Sequence, residues 1–373
     1  MTKLGDVLTI SANKSTHISD KNWLLNLDMV QQQTGKILAY NYVTANELCG
    51  SIIGFDNNVV LYSKLRPNLN KVVLPDKYGF CTSELLPLLP DSKQLNREYL
   101  AWFLRSDSFV NWAVTKTAGA KMPRLGTKEL LSKEIPLPDL PTQQRIADTL
   151  DKVSEGIEVC RKMLEKLEVM VQSRFKEMMD SAELGDETTV EKITERVKVG
   201  FVGTCEKYYT DETGIPMIRT GNITNHGIDM RNLKYVTSEF NKRNMKSQIH
   251  NGDLLIARHG SNGQASVYEG SEAQCLNAVV IVPNQTVAKS RFLAELINSP
   301  AIKEQINRTL VGSTQNVVNT KSIANLTIRI PSLKLQEEYE SYVEKIDKTK
   351  LTIQKILDKM ELEKLALMQE YFK

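Results

Sequence analysis

Polar loops that contain glycine are the part of this sequence whose side chains could do chemistry, and they recur in both halves of the chain. Their Arg, Lys, Asn, Gln, Ser and Thr side chains suit phosphate oxygens and the edges of nucleic-acid bases. For any one of them a solvated surface position is the simpler explanation, so the prediction rests on their equivalent placement in the two halves. The candidate DNA-binding residues are Lys64, Arg66, Asn68, Lys71, Lys121, Arg124, Arg219, Thr220, Asn222, Arg258, His259, Ser261, Asn262, Ser313, Gln315, Asn316 and Lys321.

No catalytic motif accompanies these loops. The sequence has no G-x-x-x-x-G-K-[ST] phosphate loop, no G-x-G-x-x-G and no G-x-S-x-G nucleophile elbow. It also lacks a D-P-P-Y-like word of an adenine-N6 methyltransferase and the paired carboxylates of a Mg²⁺-dependent nuclease. The 5 cysteines and 4 histidines are scattered without C-x-x-C or H-E-x-x-H spacing, which predicts reduced thiols and no metal site. We therefore expect a binding protein with no catalytic residues and no cofactor of its own.

The length and composition of the chain predict how many domains it has and of what class. The chain has 373 residues, of which 41% are hydrophobic and 25% charged, and this predicts two or three globular domains. The net charge of +3 is too small to indicate a polyanionic partner by itself. No apolar stretch approaches the ~18 residues of a membrane span, and the start lacks the apolar region of a signal peptide. We expect a soluble, cytoplasmic protein that contacts no membrane.

The elements that must position the loops occur twice. Each copy contains an amphipathic helix, a glycine-led polar loop, a short helix, a short apolar strand, a glutamine and a long helix. The alignment pairs Leu100 with Leu293, Gly119 with Gly312, Ile135–Pro136 with Ile330–Pro331, and Gln143 with Gln336. This repeat indicates a duplication, with globular domains at 1–141 and 184–331 and long helices at 142–183 and 332–373.

The two long helices each carry a heptad stripe of apolar residues. Apolar residues spaced alternately three and four positions apart form such a stripe. An isolated helix with one narrow apolar stripe is only marginally stable in water. We therefore expect the two helices to pair with each other, while separate packing of each helix on its own domain stays open. Lys350 and Lys364 interrupt the second stripe. The predicted seam residues are Ile146, Leu150, Val153, Ile157, Leu164, Leu167, Val171, Val343, Ile346, Ile353, Leu357, Met360 and Leu367.

The segments before each long helix predict mixed α/β domains. In the second half, short runs of branched apolar residues bounded by Gly, Asn and Pro indicate strands within 214–224, 232–237, 252–270 and 277–283. Residues 57–75 are the corresponding hairpin region of the first half. Residues 290–310 are predicted to be helical with a break before Pro300. The fold class is α+β, with two pseudo-twofold-related mixed α/β domains joined by two long helices that pair with each other.

This order of motifs resembles the specificity (S) subunit of type I restriction–modification systems. The matching words are PMIRTGNI, GDLLIARHGSNGQ, GSTQNVVNTKSIANLTIRIPSLKLQEEY and KEIPLPDLPTQQRIADTLDKVSEGI, and together they extend the resemblance over essentially the whole chain. In the first half WLLNLDMVQQQTGKI stands in place of PMIRTGNI, and GAKMPRL in place of GSTQNVV. These differences imply that the two domains recognise different DNA words.

The resemblance implies a non-catalytic subunit with two target-recognition domains. Such a subunit binds two short words of double-stranded DNA separated by a fixed spacer. Its two long helices pair as an antiparallel coiled coil and bind methylation subunits, two in number, and restriction subunits join them in the full complex. S-adenosylmethionine, ATP and Mg²⁺ are then expected in the partner subunits and not in this chain. The alternative is a coiled-coil assembly scaffold whose globular units bind protein instead of DNA.

Overall fold

The computed structural model describes residues 1–11, 20–48, 51–224, 227–258, 263–310 and 317–373. The chain forms two compact units. Unit 1 comprises Met1–Met163 and Ile353–Lys373, and unit 2 comprises Leu164–Thr352. Each long helix contributes one stretch to each unit. Unit 1 is completed by a stretch distant from the rest of it in sequence, whereas unit 2 is one continuous segment.

Unit 1 is built on two four-stranded sheets. The sheets have strand orders β2-β9-β6-β7 and β4-β3-β8-β5, and the shorter pairs are β1-β12 and β10-β11. The strands are β1 (Thr2–Lys3), β2 (Leu8–Ile10), β3 (Asn22–Leu25), β4 (Asn41–Val43), β5 (Ile52–Phe55), β6 (Val60–Ser63), β7 (Val72–Val73), β8 (Gly79–Thr82), β9 (Leu85–Pro90), β10 (Thr117–Ala118), β11 (Arg124–Leu125) and β12 (Glu134–Ile135). The helices are α1 (Leu4–Val7), α2 (Arg97–Arg105), α3 (Asp107–Thr115), α4 (Thr127–Ser132) and the first part of α5 (Leu140–Ser181).

Unit 2 contains a four-stranded and a five-stranded sheet. Their strand orders are β14-β24-β21-β22 and β15-β19-β16-β23-β20, and the shorter pairs are β13-β25 and β17-β18. The strands are β13 (Thr188–Thr189), β14 (Thr194–Val199), β15 (Tyr209–Thr210), β16 (Ile215–Arg219), β17 (Ile223–Thr224), β18 (Gly227–Ile228), β19 (Lys234–Val236), β20 (Gln248–Ile249), β21 (Leu254–Ala257), β22 (Ala265–Val267), β23 (Ala273–Leu276), β24 (Ala278–Pro283) and β25 (Thr327–Ile328). The helices are α6 (Ser238–Arg243), α7 (Ser290–Asn298), α8 (Pro300–Leu310), α9 (Thr320–Ala324) and part of α10 (Leu333–Tyr371).

The sheets confirm the duplication and the α+β fold class. The order β14-β24-β21-β22 repeats β2-β9-β6-β7, and β19-β16-β23-β20 repeats β4-β3-β8-β5, with β15 as an added edge strand. The sheets β4-β3-β8-β5 and β15-β19-β16-β23-β20 each contain one parallel pair in their described part. These pairs, β3-β8 and β16-β23, occupy equivalent positions. Helices α7 and α8 are separated at Ser299, so the predicted break before Pro300 is confirmed. Strand β3 occupies the sheet position of β16, although their sequences differ.

The core of each unit joins its sheet and helices to the long helices. In unit 1, Phe372 near the end of α10 lies 5.2 Å from the Tyr99 ring and 5.9 Å from the Phe103 ring. In unit 2, Phe175 of α5 lies 5.7 Å from the Phe292 ring and 5.6 Å from the Tyr339 ring. An aromatic side chain from a long helix therefore completes each core, and this burial stabilises the helix as well as the domain.

The long helices run antiparallel within each unit, and their seams are buried. In unit 1, a Cβ atom at Gly156 would lie 2.1 Å from Cε of Met360, so this glycine permits a close approach of the two helices. Arg161 also donates a hydrogen bond to Glu361 at 2.5 Å. The residues of the predicted seam that are buried or half-buried are Ile146, Leu150, Val153, Ile157, Leu164, Leu167, Val171, Val343, Ile346, Ile353, Leu357, Met360 and Leu367.

The two lysines that interrupt the second stripe each interact with the globular part of a unit. Lys364 places its ammonium 4.9 Å from the Trp102 ring in unit 1. In unit 2, the positive charge of Lys350 acts on the carboxyl of Glu295 in α7. A long side chain at such a position can bury its methylene groups against the domain while its charge meets a π face or a carboxylate. The seam therefore tolerates both lysines.

A buried glutamine ties each long helix to its domain by the same hydrogen bonds. Gln143 accepts from Asn96 N at 2.8 Å and donates to the carbonyls of Gln94 and Pro138 at 2.8 and 2.7 Å. Gln336 accepts from Lys289 N at 2.9 Å and donates to the carbonyls of Val287 and Pro331 at 3.2 and 3.0 Å. Both side chains are 0% exposed.

These hydrogen bonds correct one part of the sequence alignment. The alignment pairs Pro331 with Pro136, but the carbonyl that occupies the place of Pro331 belongs to Pro138. The strand registers agree, because Ile135 pairs with Thr2 and Ile328 pairs with Thr188. The sequence alignment placed the two Ile-Pro words opposite each other. The hydrogen bonds instead match Pro138 with Pro331, because each lies five residues before its glutamine. The sequence pairing of Ile135–Pro136 with Ile330–Pro331 is therefore wrong by two residues.

Candidate nucleic-acid interface

In unit 1 the structure brings together two of the predicted loop groups. The turn between β6 and β7 pairs with the β10-β11 hairpin through an antiparallel bridge between Leu65 and Arg124. Arg66 N donates to the carbonyl of Pro123 at 2.8 Å, and Leu125 N donates to the carbonyl of Lys64 at 2.9 Å. These backbone bonds place the turn at 64–71 beside residues 121–124. The two groups form one surface that we call the unit 1 recognition loops.

Two residues of this turn adopt the left-handed backbone region. Arg66 and Asn70 both have φ of 49°, on either side of a short 3-10 turn that starts at Pro67. A non-glycine residue in this region costs of the order of 1 kcal/mol and persists where its surroundings hold it. Asn70 is buried and donates from Nδ2 to the carbonyl of Arg105 at 3.0 Å, while Arg66 is exposed. The backbone therefore holds an exposed arginine in a defined position.

The side chains of the unit 1 recognition loops divide into anchored and exposed ones. The Arg124 guanidinium binds both carboxylate oxygens of Glu84 at 2.8 to 3.1 Å, which lowers the pKa of Glu84. The Lys71 ammonium donates to the carbonyl of Leu27, and burial lowers its pKa. Arg124 and Lys71 thus hold loops together. The side chains of this group that remain open to solvent are those of Arg66, Asn68 and Lys121, with Lys64 half-buried.

Unit 2 repeats the backbone arrangement with different residues. Val318 N donates to the carbonyl of Arg258 at 3.2 Å, as Leu125 N does to Lys64 in unit 1. The Arg258 side chain is half-buried and donates from Nε to the Val318 carbonyl at 3.1 Å. This places Arg258 directly after β21, beside the segment that leads into α9. Lys321 lies exposed on α9.

The predicted group around Arg219 forms a second loop of unit 2. Asn222 is buried, accepts from Arg219 N at 3.0 Å and donates to the carbonyl of Asp229 at 3.0 Å. Thr220 donates from Oγ1 to the carbonyl of Asn277 at 2.6 Å. Arg219 is half-buried and donates from Nη2 to the carbonyl of Asn232 at 3.3 Å. Asn222 and Thr220 therefore position the loop, and Arg219 is the residue of this group with a charge to offer a ligand.

The other six candidates lie outside the described residues. They adjoin Arg258 or Val318 in sequence, so the described part of unit 2 supplies only the flanks of their loops. These candidates are His259, Ser261, Asn262, Ser313, Gln315 and Asn316.

An aromatic cluster on the second sheet of unit 1 is absent from the sequence prediction. Lys77 lies 4.0 Å from the Tyr40 ring and donates to the Tyr42 hydroxyl at 2.7 Å. Tyr40 stacks at 5.1 Å on the buried Trp23 and donates to Asp76 at 3.1 Å. Both tyrosines are exposed. Alternating tyrosines in AYNYV were the available signal, since successive residues of a strand face opposite sides and Tyr40 and Tyr42 share one.

The remaining chemistry of the described ranges is limited. They contain no group of three or more His, Cys, Asp or Glu side chains able to hold a metal ion. In the same ranges, no helix is both long and apolar enough to cross a membrane. Cys81 and Cys275 are free, and burial raises the pKa of each thiol to about 12, which makes both thiols unreactive.

The comparisons with known proteins agree with this duplicated arrangement. A family model described as the type I restriction modification DNA specificity domain matches residues 1–169 and 192–363. The MjaVIII specificity subunit of Methanocaldococcus jannaschii is 22% identical over 294 residues, which cover 73% of this chain and 68% of that protein. Two Escherichia coli specificity subunits, EcoDI and EcoBI, are 25% and 20% identical over 33% and 62% of this chain. The matched segments span only 29% and 55% of those two proteins.

Solved structures share the fold. The S subunit of a type I restriction–modification system from M. genitalium superposes with a TM-score of 0.65 at 14% identity, covering 100% of this chain and 95% of that one. A chain from a structure of type I R-M complex assembly and conformational transition gives a TM-score of 0.61 at 16% identity, covering 100% and 97%. At this identity the similarity establishes the architecture and leaves residue roles to the geometry of this chain.

Proposed function

This chain belongs to the family of type I restriction–modification DNA specificity subunits, and we propose that it binds a bipartite DNA target and directs methylation and restriction subunits to it. The observation that carries the proposal is the repeated backbone contact at Lys64 and Arg258, which presents a basic loop in each unit. One loop from each domain would contact one short word of the target. Because the side chains around the two contacts differ, the two words should differ as well.

We assign target recognition to residues 1–141 and 184–331, and the spacer to the helices at 142–183 and 332–373. In the first domain Arg66, Asn68 and Lys121 are exposed and suit phosphate or base contacts. In the second domain Lys321 is exposed, while Arg219 and Arg258 are half-buried and each donates one hydrogen bond within the domain, which leaves other guanidinium N–H groups for a ligand. The candidates outside the described residues belong to this domain as well. Lys71, Arg124, Thr220 and Asn222 would act as positioning residues, because their side chains are engaged within the domain.

The methylation subunits are proposed to bind the outer faces of the long helices. Large apolar side chains stay exposed there, and exposed apolar patches mark interaction surfaces. In unit 2, Val169, Met170 and Tyr342 line an open groove of about 1070 Å³ whose other lining side chains are polar or charged. The exposed apolar residues of the long helices are Val159, Met163, Val169, Met170, Leu351, Ile356, Leu362 and Leu365. Two methylation subunits would match the two copies of the repeat.

The catalytic chemistry is proposed to reside in the partner subunits. S-adenosylmethionine would bind the methylation subunits, and ATP and Mg²⁺ the restriction subunits. We expect the assembled complex in the cytoplasm, where it meets the host DNA.

Salt-dependent DNA binding is the test that separates this function from the assembly-scaffold alternative. The full chain is titrated with random duplex DNA across a range of salt concentrations, because neutralising phosphates makes the affinity fall steeply with salt. Lys121→Ala should make the plot of the logarithm of the binding constant against the logarithm of the salt concentration less steep by about one unit of slope. Lys93→Ala is the matched control, since Lys93 is exposed in unit 1 away from the recognition loops. Absence of binding, or a slope unaffected by Lys121→Ala, would contradict the assignment.

Sequencing the methylated sites of the host identifies the target. A bipartite motif should appear only in cells that carry the gene. Arg258→Ala should relax one position of one word if Arg258 contacts a base, at a cost of ~1–3 kcal/mol in binding. The contact of Arg258 with Val318 makes a thermal melt the necessary companion, because a purely structural role would lower the melting temperature instead. A change in both words would contradict the one-domain, one-word assignment.

A further inference from the structure

Unit 1 contains a cavity that the proposed DNA-binding function does not use. Its volume is about 600 Å³, in the range of small-molecule sites. Helix α2, the first part of α5, Lys364 of α10 and the loop at 31–36 surround it. Gly35 allows that loop to close over α2, because a Cβ atom there would lie 1.7 Å from the Val72 carbonyl oxygen and 2.8 Å from Nη2 of Arg105.

Two polar atoms that line this cavity have no protein partner. Nε of Arg105 and Oγ of Ser154 are both shielded from solvent and make no hydrogen bond within the described ranges. The same guanidinium donates from Nη2 to the Val72 carbonyl at 2.8 Å, so its plane is fixed. Leaving a buried donor unpaired costs about 1–3 kcal/mol. Buried polar groups normally have a partner, so each of these two atoms has a hydrogen bond left to donate to an acceptor.

The floor of the cavity is cationic. Arg105 and Lys364 lie 5.3 and 4.9 Å from the Trp102 ring. Burial lowers the pKa of Arg105 to about 10. Burial of Lys364 and the nearby positive charge of Arg105 both lower the pKa of Lys364. The nearest carboxylate, that of Asp151, already accepts from Trp102 Nε1 at 2.9 Å. Two like charges therefore lie near each other in a half-buried site, where Asp151 acts on both of them and Glu361 acts on Lys364 as well.

The charges at the rim are neutralised, unlike those at the floor. Glu158 lies 3.0 Å from Lys36 and 3.7 Å from Lys162. Arg161 pairs with Glu361 at 2.5 Å. Glu155 also lines the cavity, so five cations face four carboxylates when Glu361 is included, and the one positive charge in excess is located at Arg105 and Lys364.

The corresponding cavity of unit 2 shows that the shared fold does not require this charge. The pairing of Leu100 with Leu293 places Glu295 at the position of Trp102 and Asn298 at the position of Arg105. Arg291 lines this second cavity, but it pairs with Glu269 at 2.6 Å and with Asp347. In unit 2 the lining carboxylates Glu269, Glu295 and Asp347 outnumber Arg291, so no cation is in excess there, and this cavity of about 360 Å³ serves as the natural comparison.

We propose that the cavity of unit 1 binds a compact oxyanion, a phosphate ion or the phosphoryl group of a small metabolite, between Arg105, Ser154 and Lys364. An anion balances the positive charge that Asp151 leaves uncompensated, and it accepts hydrogen bonds from Arg105 Nε and Ser154 Oγ. Guanidinium groups suit phosphate oxygens through fixed, charge-assisted hydrogen bonds. This site is independent of the DNA-binding assignment, since none of the recognition-loop residues line it.

Titration calorimetry on the full chain tests the site with inorganic phosphate, and with ATP as the phosphoryl-bearing metabolite. Sodium chloride at matched ionic strength is the control. We expect one saturable site for phosphate or for ATP, and a melting temperature that rises with that ligand. Saturation by phosphate identifies the free ion, whereas saturation by ATP alone identifies a phosphorylated metabolite. No saturable binding of either at millimolar concentration overturns the proposal.

Three variants locate the binding. Lys364→Met keeps the packing on Trp102 and should weaken binding tenfold or more, and Ser154→Ala should weaken it about threefold to tenfold. Lys36→Met removes a paired rim charge and should leave the affinity within about twofold. Arg66→Ala separates this site from the DNA-binding loops and should not change phosphate affinity. Unchanged affinity in a folded Lys364→Met protein, checked by its melt without ligand, would also overturn the proposal.

Discussion

Replacing Gln143 by alanine should strongly destabilise unit 1, because this side chain joins α5 to the rest of the unit. It is 0% exposed and makes three hydrogen bonds of 2.7 to 2.8 Å, to Asn96 N and to the carbonyls of Gln94 and Pro138. Alanine leaves one N–H group and two carbonyls without their partner, and all three hydrogen bonds are partly buried. At about 1–3 kcal/mol for each unsatisfied group, with some relief from entering water, the loss is about 3–5 kcal/mol.

Thermal and urea unfolding of the full chain measure this loss. For a unit of this size, 1 kcal/mol shifts the melting temperature by ~2–4 °C, so the transition of unit 1 should fall by about 10 °C. Gln144→Ala is the matched control, because Gln144 is the next residue of the same helix and is exposed. Its loss should stay within about 0.5 kcal/mol.

Gln143→Glu separates the hydrogen bonds from the packing. Glutamate keeps the volume and the acceptor for Asn96 N, but an ionised carboxylate faces the Gln94 and Pro138 carbonyls without a proton to donate. Destabilisation at neutral pH that shrinks in acid is the expected result. If Gln143→Ala and Gln144→Ala cost the same, or Gln143→Glu is neutral at pH 7, the role assigned to this glutamine is wrong.

Three further changes test other parts of the structure. Phe372→Ala should cost about 3–5 kcal/mol in unit 1, measured by urea unfolding, because its ring fills the core against Tyr99; a loss below 1 kcal/mol would contradict this. Glu295→Gln should stabilise unit 2 at pH 7 and have little effect near pH 4. Burial raises the pKa of Glu295, so wild-type stability falls as the pH rises above the usual range near 4.5; an equal effect at both pH values would refute the sign. Arg66→Ala should weaken binding to DNA of every sequence alike if Arg66 contacts phosphate, whereas loss of one base preference would show a base contact.

Periodic and repeated signals made the fold predictable. The heptad spacing from Ile146 to Val171 depends only on the regular pitch of one helix. It can therefore be recognised in the sequence without knowing which distant residues contact the helix. Gln143 and Gln336 stand out for the same reason, because each recurs at the same place in a repeated word. The two-residue error at Ile330–Pro331 arose where the repeat is short and common residues recur by chance. Hydrogen bonds, which sequence similarity does not contain, resolved the register.

The candidate site was predictable as a set of loops and not as a set of side-chain roles. The residue types at Arg66 and Lys121 predicted that the loops carrying them form a binding surface. The sequence repeat predicted that the segments after β6 and β21 are equivalent. The pairing of Arg124 with Glu84 joins residues 40 positions apart, so no local pattern reveals that this arginine is already engaged. The cation pair of Arg105 and Lys364 is harder still, because the two residues lie in separate helices far apart in sequence.

The duplicated units show how one fold can carry two different sets of side chains. The bonds from Leu125 to Lys64 and from Val318 to Arg258 join backbone atoms, so they constrain the chain without constraining the side chains. An exposed side chain such as that of Arg66 can therefore change while the backbone contact that holds its loop remains. The same separation explains the two cavities, where shared helices carry a cationic site in unit 1 and a neutralised one in unit 2. Backbone hydrogen bonds preserve the architecture after duplication, and the side chains around them are free to diverge toward different ligands.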